Sequence, residues 1–208
     1  MDMAELPDLR GTRILLRQPI DDDIAIRLKI PADPELHRMY GGSGAPIPTT
    51  LENVSASLRV IADQDTPKVR HFVIAALVDP NDNPIDADRG QYIGHIRLTF
   101  TSEHDRSGRV ALGIYDRGFW SRGYGTEALR ILLGYAFDEL GLHRVDLHVI
   151  EYNTRAIRSY EKCGFIREGF ARECALVDDV WYGDVLMSIL ESEFRAQPWA
   201  DGFTLVGQ

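Results

Sequence analysis

Apolar residues along this chain repeat with two different periods, and the period changes several times between one end and the other. Leu51, Val54, Leu58 and Ile61 recur at helical spacing, whereas residues 91–100 alternate apolar and polar side chains as a half-buried strand does. Helices and strands therefore follow one another through the sequence. This order is typical of a protein that layers both kinds of element around one core.

The same pattern predicts where the elements lie. Strands are expected at residues 13–17, 71–78, 91–100, 109–115, 143–150, 165–170 and 180–189, and helices at 21–30, 51–61, 124–140 and 153–163. A Thr49-x-x-Glu52 capping box marks the start of the second helix. Short turns join the strands between 71 and 115, which favours an antiparallel meander in a mixed α/β protein of the α+β class.

Composition narrows the class of protein. The chain has 208 residues, with 23 Lys and Arg against 32 Asp and Glu, so its net charge is −9. This acidic balance argues against a nucleic-acid binder and against a protein of anionic membranes, because both need clustered cations. No run of residues approaches the ~18 apolar positions of a membrane span, and the first five residues lack the features of a secretory signal. Cys163 and Cys174 suit a reducing compartment, so we expect a cytoplasmic protein.

One segment imitates a metal site. Asp79-x-Asn81-x-Asn83 resembles the start of a calcium loop. Pro84 then stands where the loop needs its turn-making Gly, and Gly90 stands where it needs a bidentate Glu. We therefore interpret this acidic connection as a solvated loop and expect no metal.

The segment that carries chemistry follows the strand at 109–115. Residues 119–129 read F-W-S-R-G-Y-G-T-E-A-L, and the helical pattern begins within them. A glycine loop that opens a helix suits a phosphate, because the N–H groups of the first helical turn have no partners and the helix dipole is positive there. The alternative is that Gly123 and Gly125 only make a tight turn.

A second motif changes that balance. After the strand at 143–150, residues 153–165 read N-T-R-A-I-R-S-Y-E-K-C-G-F. The two motifs at this separation resemble the Gcn5-related N-acetyltransferases, the GNAT superfamily, and in particular its branch of ribosomal-protein and small-amine acetyltransferases. The resemblance covers roughly residues 13–190 and is sharp from 112 to 165. Trp120 stands where the family loop most often has Gln or Arg, and Trp is frequent there in this branch.

The resemblance implies a fold and a cosubstrate. The fold is a single, mostly antiparallel sheet with helices on both faces, splayed between its fourth and fifth strands. In this chain those strands end at Tyr115 and Ile150. Acetyl-CoA would lie in the gap between them, and no metal would be required. Residues 1–190 would form the acetyltransferase domain and residues 191–208 a C-terminal extension.

Site residues follow from the same resemblance. Main-chain groups of Gly113, Ile114 and Tyr115 would pair with the pantetheine arm as a further strand does. Asn153 would bond the same arm, or serve only as a helix N-cap, or do both. Arg122 would add charge beside a phosphate, or remain a solvated surface side chain. The backbone that would hold the pyrophosphate comprises Ser121, Arg122, Gly123, Tyr124, Gly125 and Thr126.

Tyr160 is the residue that the resemblance makes catalytic. The matching family tyrosine gives a proton or a hydrogen bond to the departing CoA sulfur. A Tyr at ~10 is a weaker acid than a thiol at ~8.5, so a hydrogen bond is the easier role. The alternative is a core aromatic side chain. Cys163 lies at the negative end of its helix, which disfavours a thiolate nucleophile and favours direct transfer to the amine.

The resemblance implies that the acceptor is a primary amine of a small molecule or of a peptide N-terminus. The sequence does not rank the residues that could act as the base. The candidates are Glu103, Asp105, His95, Glu35 and His37. The glycine-rich segment 40–46 is expected to be a mobile loop over the acceptor. The extension, with Trp199 and Phe203, is apolar enough to pack on its own domain or on a second subunit of a homodimer.

Two other classes of function remain as alternatives. A catalytically silent acyl-CoA-binding sensor would share the same cleft. A nucleotide-binding protein would use the glycine loop alone, but the loop lacks the Lys-Ser/Thr of a P-loop and the third glycine of a dinucleotide fingerprint.

Overall fold

Strand-forming and helix-forming segments assemble into one eight-stranded sheet with helices on both faces in the computed structural model, which describes residues 6–63 and 68–200. The strands are β1 (Leu9–Arg10), β2 (Ile14–Arg17), β3 (Val69–Ala76), β4 (Gln91–Ser102), β5 (Ser107–Ile114), β6 (Arg144–Ile150), β7 (Ile166–Val177) and β8 (Val180–Leu190). The helices are α1 (Asp21–Leu28), α2 (Pro34–Met39), α3 (Leu51–Ala62), α4 (Tyr124–Gly134), α5 (Thr154–Lys162) and α6 (Glu191–Arg195).

The order of strands across the sheet is β1-β2-β3-β4-β5-β6-β8-β7. Neighbouring strands are antiparallel everywhere except between β5 and β6, which are parallel. The predicted meander is confirmed in β3 to β5, and so is the α+β class. The short strand β1 and the helices α2 and α6 were not predicted.

Alternation along the strands divides the apolar side chains between the two faces of the sheet. Phe72 and Ile74 of β3 pack in the cluster that α4 completes, whereas Val73 and Ala75 pack in the cluster that α3 completes. Because both faces are covered, β3 is buried along most of its length.

The start of α3 differs from the prediction by one residue. Thr50 is the N-cap, and its Oγ1 accepts a hydrogen bond from the Asn53 N–H at 3.2 Å. The Thr49 hydroxyl instead donates to the Ile30 carbonyl at 3.1 Å, because it faces the end of α1. The capping box at Thr49 was therefore wrong, although the helix that it marked is present.

A buried ion pair joins α1 to β2. Arg17 donates through Nη1 and Nη2 to the two carboxylate oxygens of Asp23, at 2.7 and 2.8 Å. Asp23 also accepts the Ile20 N–H at 2.9 Å. The side chains are only 4% and 0% exposed, so these bonds replace the water that both charges lose.

The C-terminal extension packs on its own domain as far as residue 200. Phe194 of α6 is fully buried, and its ring lies 5.0 Å from that of Phe137 and 5.6 Å from that of Trp199. Residues 201–208, Phe203 among them, lie outside the described residues. Within residues 6–63 and 68–200, no helix combines the length and the apolar character needed to cross a bilayer.

Candidate active site

A gap opens in the sheet where β5 and β6 separate. The two strands pair only at Ser107 with Arg144, Gly108 with Val145, and Arg109 with Asp146. Beyond these pairs β5 stays on β4, and β6 stays on β8. These are the two strands that the sequence predicts to splay. Counting β1 makes them the fifth and sixth in the chain.

The gap forms part of a cleft of about 770 Å³. Most of the predicted site residues line it, and Tyr115 and Arg122 do not. The predicted residues that line the cleft are Gly113, Ile114, Ser121, Gly123, Tyr124, Gly125, Thr126, Asn153 and Tyr160.

Bonding between β4 and β5 decides which main-chain groups face the gap. The Tyr115 N–H donates to the Ile93 carbonyl at 2.7 Å, so the main chain of Tyr115 faces β4. Bonding alternates along an antiparallel pair, and Gly113 therefore also faces β4, where it lies opposite His95. Leu112 and Ile114 face the gap. The expectation that Gly113 and Tyr115 offer free main-chain groups was wrong, because it ignored this alternation.

Both gap-facing carbonyls of β5 have side-chain partners. Trp120 Nε1 donates to the Ile114 carbonyl at 2.7 Å. The Tyr40 hydroxyl donates to the Leu112 carbonyl. The N–H groups of Leu112 and Ile114 point into the same gap by the alternation described above.

The glycine loop has the backbone geometry that its sequence predicts. Gly123 is the N-cap of α4 and has φ +88°, a conformation that favours glycine. Gly123 has no side chain to cap α4, and no side chain within residues 6–63 and 68–200 is seen to do so. The N–H groups of Tyr124, Gly125 and Thr126 belong to the first turn, whose donors lack intrahelical partners and carry the positive end of the helix dipole. This terminus is suited to hold a phosphate group at the cleft.

Tyr115 and Arg122 lie apart from the other predicted residues. Arg122 Nη1 donates to the Pro80 carbonyl at 3.0 Å, outside the cleft lining. The Tyr115 ring lies on the other face of the sheet, 4.7 Å below the guanidinium carbon of Arg27. Sequence proximity to the glycine loop does not show which way either side chain points.

A cationic face of α5 flanks the loop and was missed by sequence reasoning. Arg155, Arg158 and Lys162 all line the cleft. The Arg155 guanidinium carbon lies 3.8 Å from the ring centre of Trp120. The hydroxyls of Ser159 and Thr126 are 2.8 Å apart and join α5 to the first turn of α4. The signal was available, because these cations recur three and four residues apart on one helix face.

Tyr160 is buried in the wall of the cleft and is 9% exposed. Burial raises the pKa of its phenol to about 12. The phenol is therefore protonated at neutral pH and is a hydrogen-bond donor. Burial likewise raises the pKa of the Cys163 thiol to about 12, which makes this cysteine unreactive as a nucleophile.

Asn153 uses both ends of its amide. Its Oδ1 accepts the Ala156 N–H at 3.2 Å and so caps α5. Its Nδ2 donates to the Met39 carbonyl at 3.3 Å. Asn153 therefore fixes the start of α5 and also contacts α2 at the mouth of the cleft.

The residues considered as bases lie outside the cleft lining. His95 packs against His71, with ring centres 4.9 Å apart, and burial lowers its pKa to about 3. Glu35 pairs with Arg117 at 3.0 Å. The remaining candidates are His37, which contacts the Ser43 carbonyl, and Glu103 and Asp105, which lie between β4 and β5 at the closed end of the β5–β6 pair.

Two other titratable residues line the cleft from neighbouring strands. His148 of β6 lies opposite Leu186, and Asp184 of β8 lies opposite Ile150. Side chains two residues apart share a face, so His148 and Asp184 are diagonal neighbours. Sequence reasoning missed them, because nothing local pairs two strands that are so far apart along the chain. The described residues contain no group of three or more His, Cys, Asp or Glu side chains placed to hold a metal ion.

A sheet opened between two parallel strands, with an uncapped helix terminus beside the opening, defines a protein suited to bind an extended ligand with an anionic end. Residues 13–166 match the family described as "Acetyltransferase (GNAT) domain". The chain belongs to this family.

Individual relatives agree with the family. The curated Bacillus subtilis protein named "Probable N-acetyltransferase YjcK" is 37% identical over 78 residues, which are 38% of this chain and 43% of that protein. This chain matches less than two thirds of the length of the first curated relatives. Mycobacterium smegmatis RimJ, solved with CoA-disulfide, is 20% identical with a TM-score of 0.72, covering 93% of this chain and 90% of that one. Spermidine N-acetyltransferase of Vibrio cholerae, solved with CoA and spermine, is 22% identical with a TM-score of 0.68, covering 88% and 98%. At these identities the two structures support the fold alone.

Proposed function

We propose that this protein is an acetyl-CoA-dependent N-acetyltransferase that transfers the acetyl group directly to a primary amine of a small molecule or of a peptide or protein N-terminus. One observation carries the proposal: the uncapped N-terminus of α4, the gap-facing main chain of β5 and the Tyr160 phenol line a single cleft. The family relationship supports the same activity.

The residues that line the cleft fit two parts of coenzyme A, the diphosphate and the pantetheine arm. The first turn of α4 offers N–H donors to the diphosphate, and the cations of α5 stand beside them. Leu112 and Ile114 present main-chain groups to the amide-rich pantetheine arm, as one strand does to another. Acetyl-CoA supplies the activated acetyl group, and the protein positions it.

In the proposed reaction, the amine nitrogen forms a bond to the acetyl carbon while the bond from that carbon to sulfur breaks. Before the attack, a base takes one proton from the ammonium, so that the nitrogen has a free electron pair. The sulfur leaves with the electron pair of the broken bond, and the second nitrogen proton is released to solvent or to the departing thiolate as the amide forms. Tyr160 donates a hydrogen bond to this sulfur, because its phenol stays protonated at neutral pH. Cys163 takes no part, because its thiol is buried and protonated.

His148 is our candidate for the base, with Asp184 beside it to attract a cationic amine. A side-chain-like amine with pKa ~10.4 costs ~4 kcal/mol to neutralise at pH 7.4, whereas an α-amine costs below ~1 kcal/mol. A base therefore matters most for the first class of acceptor. His148→Gln should lower kcat/KM for such amines about 100- to 10,000-fold and leave peptide N-termini less affected.

The activity is tested by thiol release from acetyl-CoA across a panel of polyamines, amino sugars, aminoglycosides, amino acids and peptides. The N-acetyltransferase proposal expects turnover with at least one class of amine. Tyr160→Phe should lower kcat about 10- to 100-fold, the value of one hydrogen bond to a charged group, with an unchanged Kd for coenzyme A. Calorimetry that detects no uptake of coenzyme A would refute the proposal.

The same experiment separates the enzyme from a silent acyl-CoA sensor. A sensor would bind coenzyme A with equal affinity in the native protein and in Tyr160→Phe, and neither would release thiol with any amine. No contact among the described residues favours the sensor over the enzyme, whereas the buried phenol in the cleft wall favours the enzyme.

We further propose a cytoplasmic location and an extension that begins near residue 190 and completes the core of the domain through Phe194. Both described cysteines are free thiols, which suits a reducing compartment. Removal of residues 191–208 tests both the boundary and the homodimer. The stability of the shortened chain tests the boundary, and its mass in solution tests the homodimer.

A further inference from the structure

A strap formed by residues 33–44 crosses the mouth of the cleft. It comprises α2 and the loop that follows, and both of its ends are tethered. At one end Asp33 accepts Arg117 Nη2 at 2.7 Å. At the other end the Gly44 N–H donates to Asp178 Oδ1 at 2.9 Å, in the turn between β7 and β8. The strap therefore bridges the two walls of the gap.

The middle of the strap reaches into the cleft. The Tyr40 hydroxyl bonds the Leu112 carbonyl of β5. A Cβ atom on Gly113 would lie 2.2 Å from this hydroxyl, so Tyr40 lies directly on the main chain of β5. One residue earlier, the Met39 carbonyl accepts Asn153 Nδ2 at 3.3 Å. Two polar groups proposed to bind pantetheine are thus already bonded to the strap.

We infer that Met39 and Tyr40 compete with coenzyme A for the pantetheine position on β5, so that cofactor binding displaces Tyr40. This inference rests on the proposed function. It makes Tyr40 a positioning residue that lowers the affinity for the cofactor.

The tethers allow a displacement of the residues next to Tyr40. Tyr40 is 52% exposed and lies outside both apolar clusters, although burial of its hydroxyl in the cleft raises the pKa of the phenol. Moving its ring therefore breaks one hydrogen bond without opening the core. Asp33 and Asp178 hold the ends of the strap, and Arg38 is held by Asp178 and by the Tyr152 hydroxyl. Residues 39–42 can move while these contacts keep the strap attached to both walls.

The first test is the affinity of Tyr40→Phe for coenzyme A, measured by calorimetry. The variant keeps the ring and loses the bond to Leu112, so Kd should fall about 2- to 10-fold, the effect of one net hydrogen bond. Tyr182→Phe is the matched control, because Tyr182 lies outside the cleft lining and packs on Tyr152. Its Kd should equal that of the native protein. An unchanged or higher Kd in Tyr40→Phe overturns the inference.

A second measurement follows hydrogen exchange in the native protein on addition of coenzyme A. Displacement predicts faster exchange at strap amides 40–42, which are bonded within the strap, and slower exchange at amides 112 and 114. Slower or unchanged exchange in the strap overturns the inference. Uptake of coenzyme A with an unmoved strap refutes this inference alone, whereas no uptake at all refutes the proposed function as well.

Discussion

The two halves of the sheet differ in how completely they are covered. In the first half, β1 to β5, helices lie on both faces and β3 is buried between them. In the second half, β7 is an edge strand exposed along almost its whole length. Phe170 of β7 and Trp181 of the neighbouring β8 are 48% and 57% exposed. The first half carries a buried ion pair, whereas the second carries ion pairs at the surface.

This difference shows how an open cleft is compatible with a stable sheet. The halves share only three residue pairs between β5 and β6, and beyond those pairs each strand keeps its other neighbour. Buried side chains of both halves pack in one apolar cluster with α4, and a second cluster lies on the other face of the first half. The strands can therefore diverge without the loss of a core, and main-chain groups of β5 are left facing a ligand.

The largest expected effect comes from the ion pair of the first half. Asp23→Ala leaves the Arg17 charge buried and unpaired, so the free energy of unfolding should fall by about 3 to 5 kcal/mol. Asp22→Ala is the control, because its side chain is 74% exposed on the same helix. Chemical denaturation measures both. Equal losses in the two variants would show that burial does not distinguish these carboxylates.

An effect of similar size is expected where α6 anchors the second half. Phe194→Ala empties a fully buried site against Phe137 and should cost about 3 to 5 kcal/mol. Trp181→Ala removes a larger but exposed side chain from the same half and should cost less than about 1 kcal/mol. A larger loss at Trp181 would mean that the exposed face of β7 and β8 is covered in solution.

Two glycines, one beside the open part of β5 and one at its closed end, should differ in how their substitution affects coenzyme A binding. The expected losses of stability are smaller than those above. A Cβ on Gly94 would lie 1.9 Å from the Gly113 carbonyl oxygen, so Gly94→Ala should force β5 away from β4 at about 1 to 3 kcal/mol and weaken coenzyme A binding. A Cβ on Gly108, at the closed end, would meet two side-chain atoms at 3.0 and 3.1 Å, and its distance to the Thr99 carbonyl oxygen would be 3.4 Å. Gly108→Ala should keep the native Kd for coenzyme A. Equal Kd values for the two variants would show that coenzyme A binding does not depend on the position of β5.

The smallest effect is expected at a surface ion pair of the second half. Arg144 bonds the Glu168 carboxylate and lowers its pKa to about 2. A lowered pKa stabilises the fold fully above the unfolded value of about 4.3, and this contribution is lost as the pH falls through 2. Because Glu168 is 41% exposed, Arg144→Met should cost less than about 1 kcal/mol at pH 7. The difference from the native protein should vanish near pH 2 in acid titrations followed by denaturation.

Local patterns predicted most of the strands and the start of α4, because strand alternation and the glycine loop are local features. The splay of β5 from β6 was expected from the family resemblance, and it is confirmed. The side of β5 that faces the gap depends on its register with β4, which no local pattern contains. For the same reason His148 and Asp184 were missed, since only strand pairing brings them together. The six-residue helix α2 is too short for a periodic signal, and its start depends on the Asp33 cap.

Trp120 gives the cleft an optical reporter of its own. Its indole bonds the end of β5 and lies against Arg155, so any ligand that enters the gap changes the surroundings of this fluorophore. The chain has three tryptophans, and Trp181 and Trp199 lie outside the cleft lining. If Trp181 and Trp199 are both replaced by Phe, the emission of Trp120 alone would report changes in the gap in real time and without a label.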